Sequence, residues 1–260
     1  MKKKKRYIVI LVILIVYAII MMLSFGEKSI KEKKKYVTLI IGDSAIWNYS
    51  DESWLNITNT KTIDSLSWLD YNVYLDNRLK GNYFLWNDNN KWYIFDSNKK
   101  AIVRDGMLLA TRANYEVKVK DFSTNEIRNY YHVEKVLEEN NLSPSSKYTT
   151  AMETAIDIDN DGTNEQFYFV SNVFSLDYNP TKIFSFVFMV KNSKVYPIYT
   201  DVAPNKGTNG CKPYLSAVLD IDEDNTYEMV VSCGKYSTAT PVEMLYKLTE
   251  DGFKILISNQ

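Results

Sequence analysis

The strongest constraint on the fold is an acidic loop that occurs twice, 63 residues apart. The two copies, Asp157–Glu165 and Asp220–Glu228, share six of nine residues in the pattern Asp-Ile-Asp-x-Asp-x-Thr-x-Glu. Apolar runs flank both loops, as expected for turns between β-strands. A repeated unit of this size cannot bury its faces alone, so the two copies are predicted to stack on each other.

A hairpin pattern follows each loop and completes the repeat. Phe186–Val190 precedes Val195–Ile198 in the first copy, and Met244–Leu248 precedes Phe253–Ile257 in the second. Residues 148–260 are therefore predicted to form two β units of four strands each, with acidic loops of the Asp-x-Asp-x-Asp type.

The spacing of the acidic side chains suits a divalent cation. Carboxylates at positions 1, 3 and 5, a carbonyl at 7 and an acid at 9 can surround one ion, and calcium prefers about six to eight such oxygens. Gly162 or Asn225 at position 6 permits the tight turn. The loops are not EF-hands, because position 12 holds Tyr168 or Val231 instead of Glu. The alternative is a pair of solvated acidic turns that bind no ion.

The pattern Asp-x-Asp-x-Asp-Gly-x-x-acid between two strands resembles the calcium loops of FG-GAP/VCBS-type repeats, which are β-propeller blades. The resemblance covers residues 148–260 and implies blade-like units, each with one structural calcium ion. The implied ligands of the first ion are Asp157, Asp159, Asp161, the Thr163 carbonyl and Glu165. Those of the second are Asp220, Asp222, Asp224, the Thr226 carbonyl and Glu228.

The chain also departs from this family. It lacks Gly-Ala-Pro, its only Phe-Gly is Phe25-Gly26, and Glu closes each loop where the family has Asp or Asn. Two units are fewer than the roughly four to eight blades of a closed propeller. A smaller, non-closed β structure is expected; the alternative is that the preceding region adds further blades.

All five Trp residues lie between positions 47 and 92. Residues 36–121 are predicted to form a Trp-rich antiparallel β region. We expect Trp47 opposite Trp54 across a Ser50-Asp51 turn, and Trp86 opposite Trp92 across a three-residue Asp-Asn-Asn loop. Paired Trp side chains of this kind close a small β core; an exposed carbohydrate-binding face is the alternative.

One helix is predicted between the two β regions. The Ser-Thr-Asn-Glu sequence at 123–126 matches a capping box, and the apolar spacing beyond it indicates a helix over 127–140. Residues 122–147 are thus expected to form a helical connector. The helix carries the only histidine, His132, for which no metal role is expected because neither a second His nor a nearby Cys accompanies it.

The amino terminus has the pattern of a membrane anchor. Five basic residues precede Tyr7–Phe25, a run of 19 residues without a charge. As a helix this run is about 28 Å long, close to the thickness of a bilayer core. Residues 1–26 are predicted to form a cytoplasmic tail and an uncleaved transmembrane anchor, with residues 27–35 as a Lys-rich stalk. A cleaved signal peptide is the alternative, although an Ala-x-Ala-like site is missing.

Charge and cysteine content limit the partners and the compartment. Residues 1–26 hold five basic and no acidic side chains, so the rest of the chain has a formal net charge of −6. Nucleic acid is not expected as a partner, because phosphate binding requires a concentrated positive field. Cys211 and Cys233 lie in the exported part, where an oxidising compartment permits one disulfide. Two buried thiols are the alternative.

A three-residue motif raises the question of catalysis. Val37–Ile41 is predicted as a strand, and Gly42-Asp43-Ser44 after it resembles the nucleophile block of SGNH (GDSL-type) hydrolases. A serine nucleophile needs a base, usually a His oriented by a carboxylate. The Asp-x-x-His block of that family is missing, and no His follows His132. Ser44 is therefore interpreted as part of a turn, and no catalytic residue is assigned.

Together these features predict a bacterial-type, single-pass plasma-membrane protein with its body outside the membrane. The body is expected to be a non-enzymatic binding or scaffold module for a protein or glycan, mainly β, with calcium-stabilised repeats. The alternative is a cell-envelope hydrolase that uses Ser44 or a glycosidase-type pair of carboxylates.

Overall fold

The structure is a computed structural model that describes residues 37–50, 53–144, 150–175, 183–203, 210–234 and 241–259. The chain divides into two units, Met1–Tyr36 and Val37–Gln260, and all described residues lie in the second. The predicted tail, anchor and stalk therefore lie outside the described residues. None of the helices in the described part combines the length and the apolar character needed to span a membrane.

The first sheet contains eight antiparallel strands. In chain order these are β1 (Val37–Ile41), β2 (Ala45–Ser50), β3 (Ser53–Asn56), β4 (Leu69–Leu75), β5 (Arg78–Asp88), β6 (Lys91–Phe95), β7 (Ala101–Ile102) and β8 (Leu108–Arg112). Across the sheet they follow the order β3-β2-β1-β8-β4-β5-β6-β7. Helix α1 (Thr60–Ser65) joins β3 to β4, and Asn59 caps it by accepting the N–H groups of Lys61 and Thr62.

Two further antiparallel sheets contain the repeats. The second sheet is built on β12 (Thr150–Ile156), β13 (Glu165–Ser175), β14 (Ile183–Lys191) and β15 (Lys194–Ala203), and the third on β16 (Lys212–Asp220), β17 (Glu228–Gly234), β18 (Val242–Thr249) and β19 (Gly252–Ser258). Three short strands extend them: β9 (Lys118–Val119) pairs with β16, β10 (Asn125–Glu126) with β12, and β11 (Leu142–Pro144) with β13. Each repeat is thus a four-stranded meander, and the mainly antiparallel β fold is confirmed.

The third sheet lies between the other two because both of its faces are apolar. Met229 and Val231 pack toward the second sheet, in a cluster with Phe167 and Phe169. Val230, between them on β17, packs toward the first sheet with Leu39. Helix α1 covers the outer face of the first sheet, and α2 (Tyr131–Glu139) covers that of the second. The two repeats therefore stack face to face, and the second repeat lies between the first repeat and the Trp-rich sheet.

The Trp registers differ from those predicted. Trp54 lies opposite Tyr49, and Trp47 meets Trp54 only diagonally, edge to face with ring centroids 6.3 Å apart. Trp86 lies opposite Tyr93, because a two-residue Asn89-Asn90 turn closes that hairpin. Both Asn residues have positive φ, +50° and +62°, which matches the twist of a tight hairpin.

These registers change which Trp residues form the core. Because side chains alternate between faces, the predicted pairing of Trp86 with Trp92 is wrong, and the two rings lie on opposite faces of the sheet. Trp47 and Trp92 are fully buried, whereas Trp68, which is exposed, and Trp86, which is half-buried, stack on each other. Only part of the Trp set therefore closes a core.

The helix begins four residues later than predicted. The Ser-Thr-Asn-Glu segment does not cap it, because Asn125 and Glu126 form β10 and pair with Glu153 and Met152. Asn129 instead accepts the N–H of Tyr131 at 3.0 Å. Strand pairing has overridden the local capping signal, which is a common outcome for short motifs.

Candidate metal centres in the repeated acidic loops

The two acidic loops follow the same backbone path. The first joins β12 to β13 and the second joins β16 to β17. In each loop, positions 4 and 6 are left-handed: φ is +58° at Asn160 and +87° at Gly162, and +63° at Glu223 and +67° at Asn225. Gly and Asn tolerate this conformation, which explains their presence at position 6.

The same hydrogen bonds hold the carboxylates in both loops. Glu165 Oε2 accepts the N–H of Ile158 at 3.0 Å, and Glu228 Oε2 accepts that of Ile221 at 2.9 Å. The acid at position 5 accepts the N–H at position 7, at 2.8 Å in each case, from Thr163 in the first loop and from Thr226 in the second. The loop is thereby folded back on itself, and its carboxylates converge.

Each cluster also contains a lysine that the sequence reasoning missed. Lys191 Nζ lies 2.5 Å from Asp159, 2.8 Å from Asp161 and 2.9 Å from Glu165. Lys247 Nζ lies 2.5 Å from Asp222, 2.7 Å from Asp224 and 3.1 Å from Glu228. Lys247 is directly opposite Glu228 in the β17–β18 ladder. A Lys on the third strand of both repeats is the signal that could have revealed them.

A second lysine reaches each cluster from β9 and the residue after it. Lys118 Nζ is 3.4 Å from Asp220 and 3.0 Å from the side-chain oxygen of Asn225. Lys120 Nζ donates to the Asp157 carbonyl and is 3.4 Å from its carboxylate. With all groups ionised, four carboxylates and two ammonium groups leave each cluster with a net charge of −2.

Several carboxylate oxygens in these clusters are buried without a hydrogen-bond partner. They include one Oδ1 on each of Asp157, Asp159, Asp220 and Asp222. Glu165 and Glu228 are almost completely buried, and their Oε1 atoms contact the lysines by distance only, without hydrogen-bond geometry. Burial, aided by the charge of Asp222, raises the pKa of Glu228 to about 7. Unpartnered buried acid oxygens of this kind are costly unless a cation joins them.

The predicted ligands are largely brought together. Asp157, Asp159 and Glu165 place carboxylate oxygens within 4.8 Å of one another, and so do Asp220, Asp222 and Asp224. Asp161 and Glu228 contact the same lysines as these groups. For Thr163 and Thr226 the structure gives hydrogen bonds of the N–H groups, and a ligand role of their carbonyls stays a prediction. The donor set fits a metal ion in both loops.

Ser44 has a different polar environment, in the turn between β1 and β2. Its hydroxyl donates to Glu243 Oε1 at 2.9 Å, and Ser232 donates to the other oxygen of this fully buried carboxylate. Burial raises the pKa of Glu243. The Asn259 side chain joins the two residues, donating to the Ser44 carbonyl and accepting the N–H of Glu243. Glu243 is 199 residues from Ser44 in the sequence, and no local sequence pattern predicts this contact.

The other residues singled out by the sequence lie elsewhere. His132 is on α2, where its ring contacts Tyr131 and Tyr168 on the far side of the second sheet from Ser44. Cys211 and Cys233 are joined by a buried disulfide, with Cα atoms 5.4 Å apart. The bond joins the start of β16 to the end of β17, at the open end of the hairpin that carries the second acidic loop. It packs in the core between the repeats.

Comparison with known proteins adds no relative to this picture. No protein-family model matches the chain, and no significant match is found among characterised proteins or solved structures.

Proposed function

We propose that this chain is a membrane-anchored, extracytoplasmic binding or scaffold module whose two blade-like β-repeats are each stabilised by one calcium ion. The observation that carries the proposal is the repeated geometry of the two acidic loops, with unpartnered carboxylate oxygens in both. The module has no catalytic role, and it presents its outer surfaces to a protein or glycan outside the membrane.

Charge favours a divalent ion over lysine alone. Lys191 and Lys120 neutralise half of the four carboxylates in the first loop, and Lys247 and Lys118 do the same in the second. The remaining charge of −2 is held partly by buried groups, where repulsion is weakly screened. One divalent cation balances this charge and is coordinated by the otherwise unpartnered oxygens.

The chemistry of the donors favours calcium among divalent ions. Both clusters offer only carboxylate oxygens, and no His or Cys side chain belongs to either group. Zinc and copper prefer nitrogen and sulfur, whereas magnesium requires a near-ideal octahedron and keeps most of its water. Calcium accepts irregular shells of oxygen and suits a site built from one short loop.

The lysines set the expected strength of binding. Lys191 and Lys247 contact the acids at positions 3, 5 and 9, so calcium has to displace their ammonium groups from these oxygens. Both side chains are partly exposed and can extend into solvent. Competition from a tethered cation lowers the affinity, which places these sites in the weak extracellular range of about 10⁻⁴ to 10⁻³ M.

Thermal unfolding of the body, residues 36–260, tests the proposal. Calcium at millimolar concentration is expected to raise the melting temperature, whereas magnesium at equal ionic strength has a much smaller effect. Asp159→Ala and Asp222→Ala should each remove part of the gain, and the double variant should remove all of it. Glu250→Ala, at an exposed position outside both loops, is the control. A transition that neither calcium nor a chelator moves would disprove the metal sites.

The contact between Ser44 and Glu243 supports a second candidate function, a cell-envelope hydrolase. A buried carboxylate with a raised pKa can accept the proton of a serine hydroxyl. Against it, both Glu243 oxygens already accept hydroxyl groups. Labelling of Ser44 by a fluorophosphonate probe, lost in Ser44→Ala and in Glu243→Gln, would establish the hydrolase. Absence of labelling in the native protein favours the binding module.

A further inference from the structure

A cavity of about 500 Å³ lies at the junction of the first and third sheets. It opens beside the β1–β2 turn, and Pro241 and Val242 of the second repeat form part of its wall. Ligand sites of small molecules have volumes of roughly 300–1,000 Å³, so the cavity has the capacity for one ring-sized ligand. It lies apart from both acidic loops and contains none of their carboxylates.

Amide and hydroxyl groups form the polar part of the wall. Asn56, Asn87 and Asn90 come from β3, β5 and the β5–β6 turn, and Thr58 and Ser44 add two hydroxyls. An amide side chain both donates and accepts hydrogen bonds, as does a hydroxyl group of a ligand. Because the Ser44 proton is donated to Glu243, its oxygen has acceptor capacity left for a ligand.

The rest of the wall is apolar, and the charge in the cavity is neutralised. Ile46, Ile57, Ile63 and Trp92 contribute the apolar side chains of the wall. Among the described residues that line the cavity, only Asp43 carries a charge, and its Oδ1 atom accepts from Arg104 at 2.6 Å and from the N–H of Trp92 at 2.9 Å. A charged ligand finds no unpaired opposite charge among the residues that line the cavity.

We propose that this cavity binds one sugar ring of an uncharged glycan. A pyranose ring presents hydroxyls around its edge and C–H groups on its faces, which match a wall that combines amide and hydroxyl groups with apolar side chains. The proposal rests on the proposed function and deepens it, because it selects glycan as the partner of the binding module.

Ligand-observed NMR on the full-length protein tests this inference. The protein is kept in a detergent without a sugar headgroup, and the probes are glucose, galactose, N-acetylglucosamine and, as a charged comparison, N-acetylneuraminic acid. Saturation transfer is expected to at least one of the neutral sugars and not to the charged one. No transfer to any neutral sugar would overturn the inference, as would equal transfer to the charged sugar.

Variants locate the binding in the cavity. Asn87→Ala removes one wall amide and is expected to weaken binding about fivefold. Asn82→Ala is the matched control, since Asn82 is exposed on the same strand and does not line the cavity. Thr58→Trp, at an exposed rim position, fills the cavity and is expected to abolish binding. Binding that survives both Asn87→Ala and Thr58→Trp contradicts the assignment.

Calcium titration of the same sample separates the two proposals. Loss of sugar binding with intact calcium binding overturns only the glycan site, and the reverse result overturns only the metal sites.

Discussion

At the scale of single residues, Lys191 and Lys247 supply the positive charge that balances part of the carboxylate charge of the acidic loops without metal. Each ammonium group contacts three carboxylates, and these contacts together outweigh burial and raise the pKa of both lysines. The lysines therefore stay charged at any physiological pH and act as tethered cations. They neutralise part of the charge of the loops without metal, and in the proposed sites they would compete with calcium for the same oxygens.

Lys191→Met is expected to strengthen calcium binding at the first loop by about tenfold, because it removes the competing charge-assisted hydrogen bonds. The same variant should unfold at a lower temperature in the presence of chelator, since three carboxylates lose their partner. Isothermal titration calorimetry measures the calcium affinity, and thermal unfolding measures the melting temperature. Lys254→Met, at an exposed position on β19, is the control. Weaker calcium binding in Lys191→Met would contradict the competition.

The charge state of Glu243 also affects stability, because burial raises its pKa above the ordinary value of 4.5. A raised pKa means that the folded state favours the protonated form. The associated stability is present below about pH 4.5 and is lost as the pH rises through the pKa of the folded state. A Gln side chain at position 243 does not titrate, so the variant lacks this pH-dependent contribution to stability.

The free energy of unfolding of Glu243→Gln, relative to the native protein, is therefore expected to increase from pH 4.5 to pH 8. Denaturant unfolding at several pH values provides the measurement, with Glu250→Gln as an exposed control on the same hairpin. A difference that stays constant across this range would show that Glu243 is not held with a raised pKa.

At the scale of elements, the acidic loop is a turn whose backbone is specified at position 6. Gly162 has φ of +87°, and a Cβ added there meets no atom within 4 Å, so backbone strain is the only cost of a side chain. Asn225 occupies the equivalent position with φ of +67°. The two loops thus provide a natural comparison between Gly and Asn in one conformation.

Gly162→Ala is expected to destabilise the protein by about 1 kcal/mol, because Ala disfavours the left-handed region. Gly162→Asn should cost clearly less, as Asn225 already shows this residue in the same turn. Chemical denaturation of both variants in chelator compares them. Equal losses for Ala and Asn would contradict a limit set by the preference of the backbone conformation.

The elements that sequence predicts best are those with a strong local pattern. The 63-residue repeat predicts both acidic loops, and both hairpins pair as expected, with Val190 opposite Val195 and Leu248 opposite Phe253. The helix is predicted correctly, but its first residue is not, because the segment expected to cap it forms β10 and pairs with β12. The predicted pairing of Trp86 with Trp92 fails because one residue fewer in the turn transfers every later side chain to the other face.

At the scale of the whole molecule, the order of the sheets positions every candidate site. The third sheet is buried on both faces, so the second repeat touches both the first repeat and the Trp-rich sheet. This arrangement brings Glu243 to Ser44 and Lys118 to Asp220. Such contacts join residues far apart in the chain, and composition or periodicity cannot predict them. The repeated loop pattern therefore predicts the acids of the candidate metal sites but not the lysines that reach them.

The number of calcium ions bound per chain tests the central claim most directly. Equilibrium dialysis of the purified protein at millimolar calcium, followed by elemental analysis, is expected to give two ions per chain. Asp159→Ala and Asp222→Ala should each retain one ion, and the double variant none. Native protein that binds no more calcium than the double variant would contradict the claim that the two repeats are calcium-binding units.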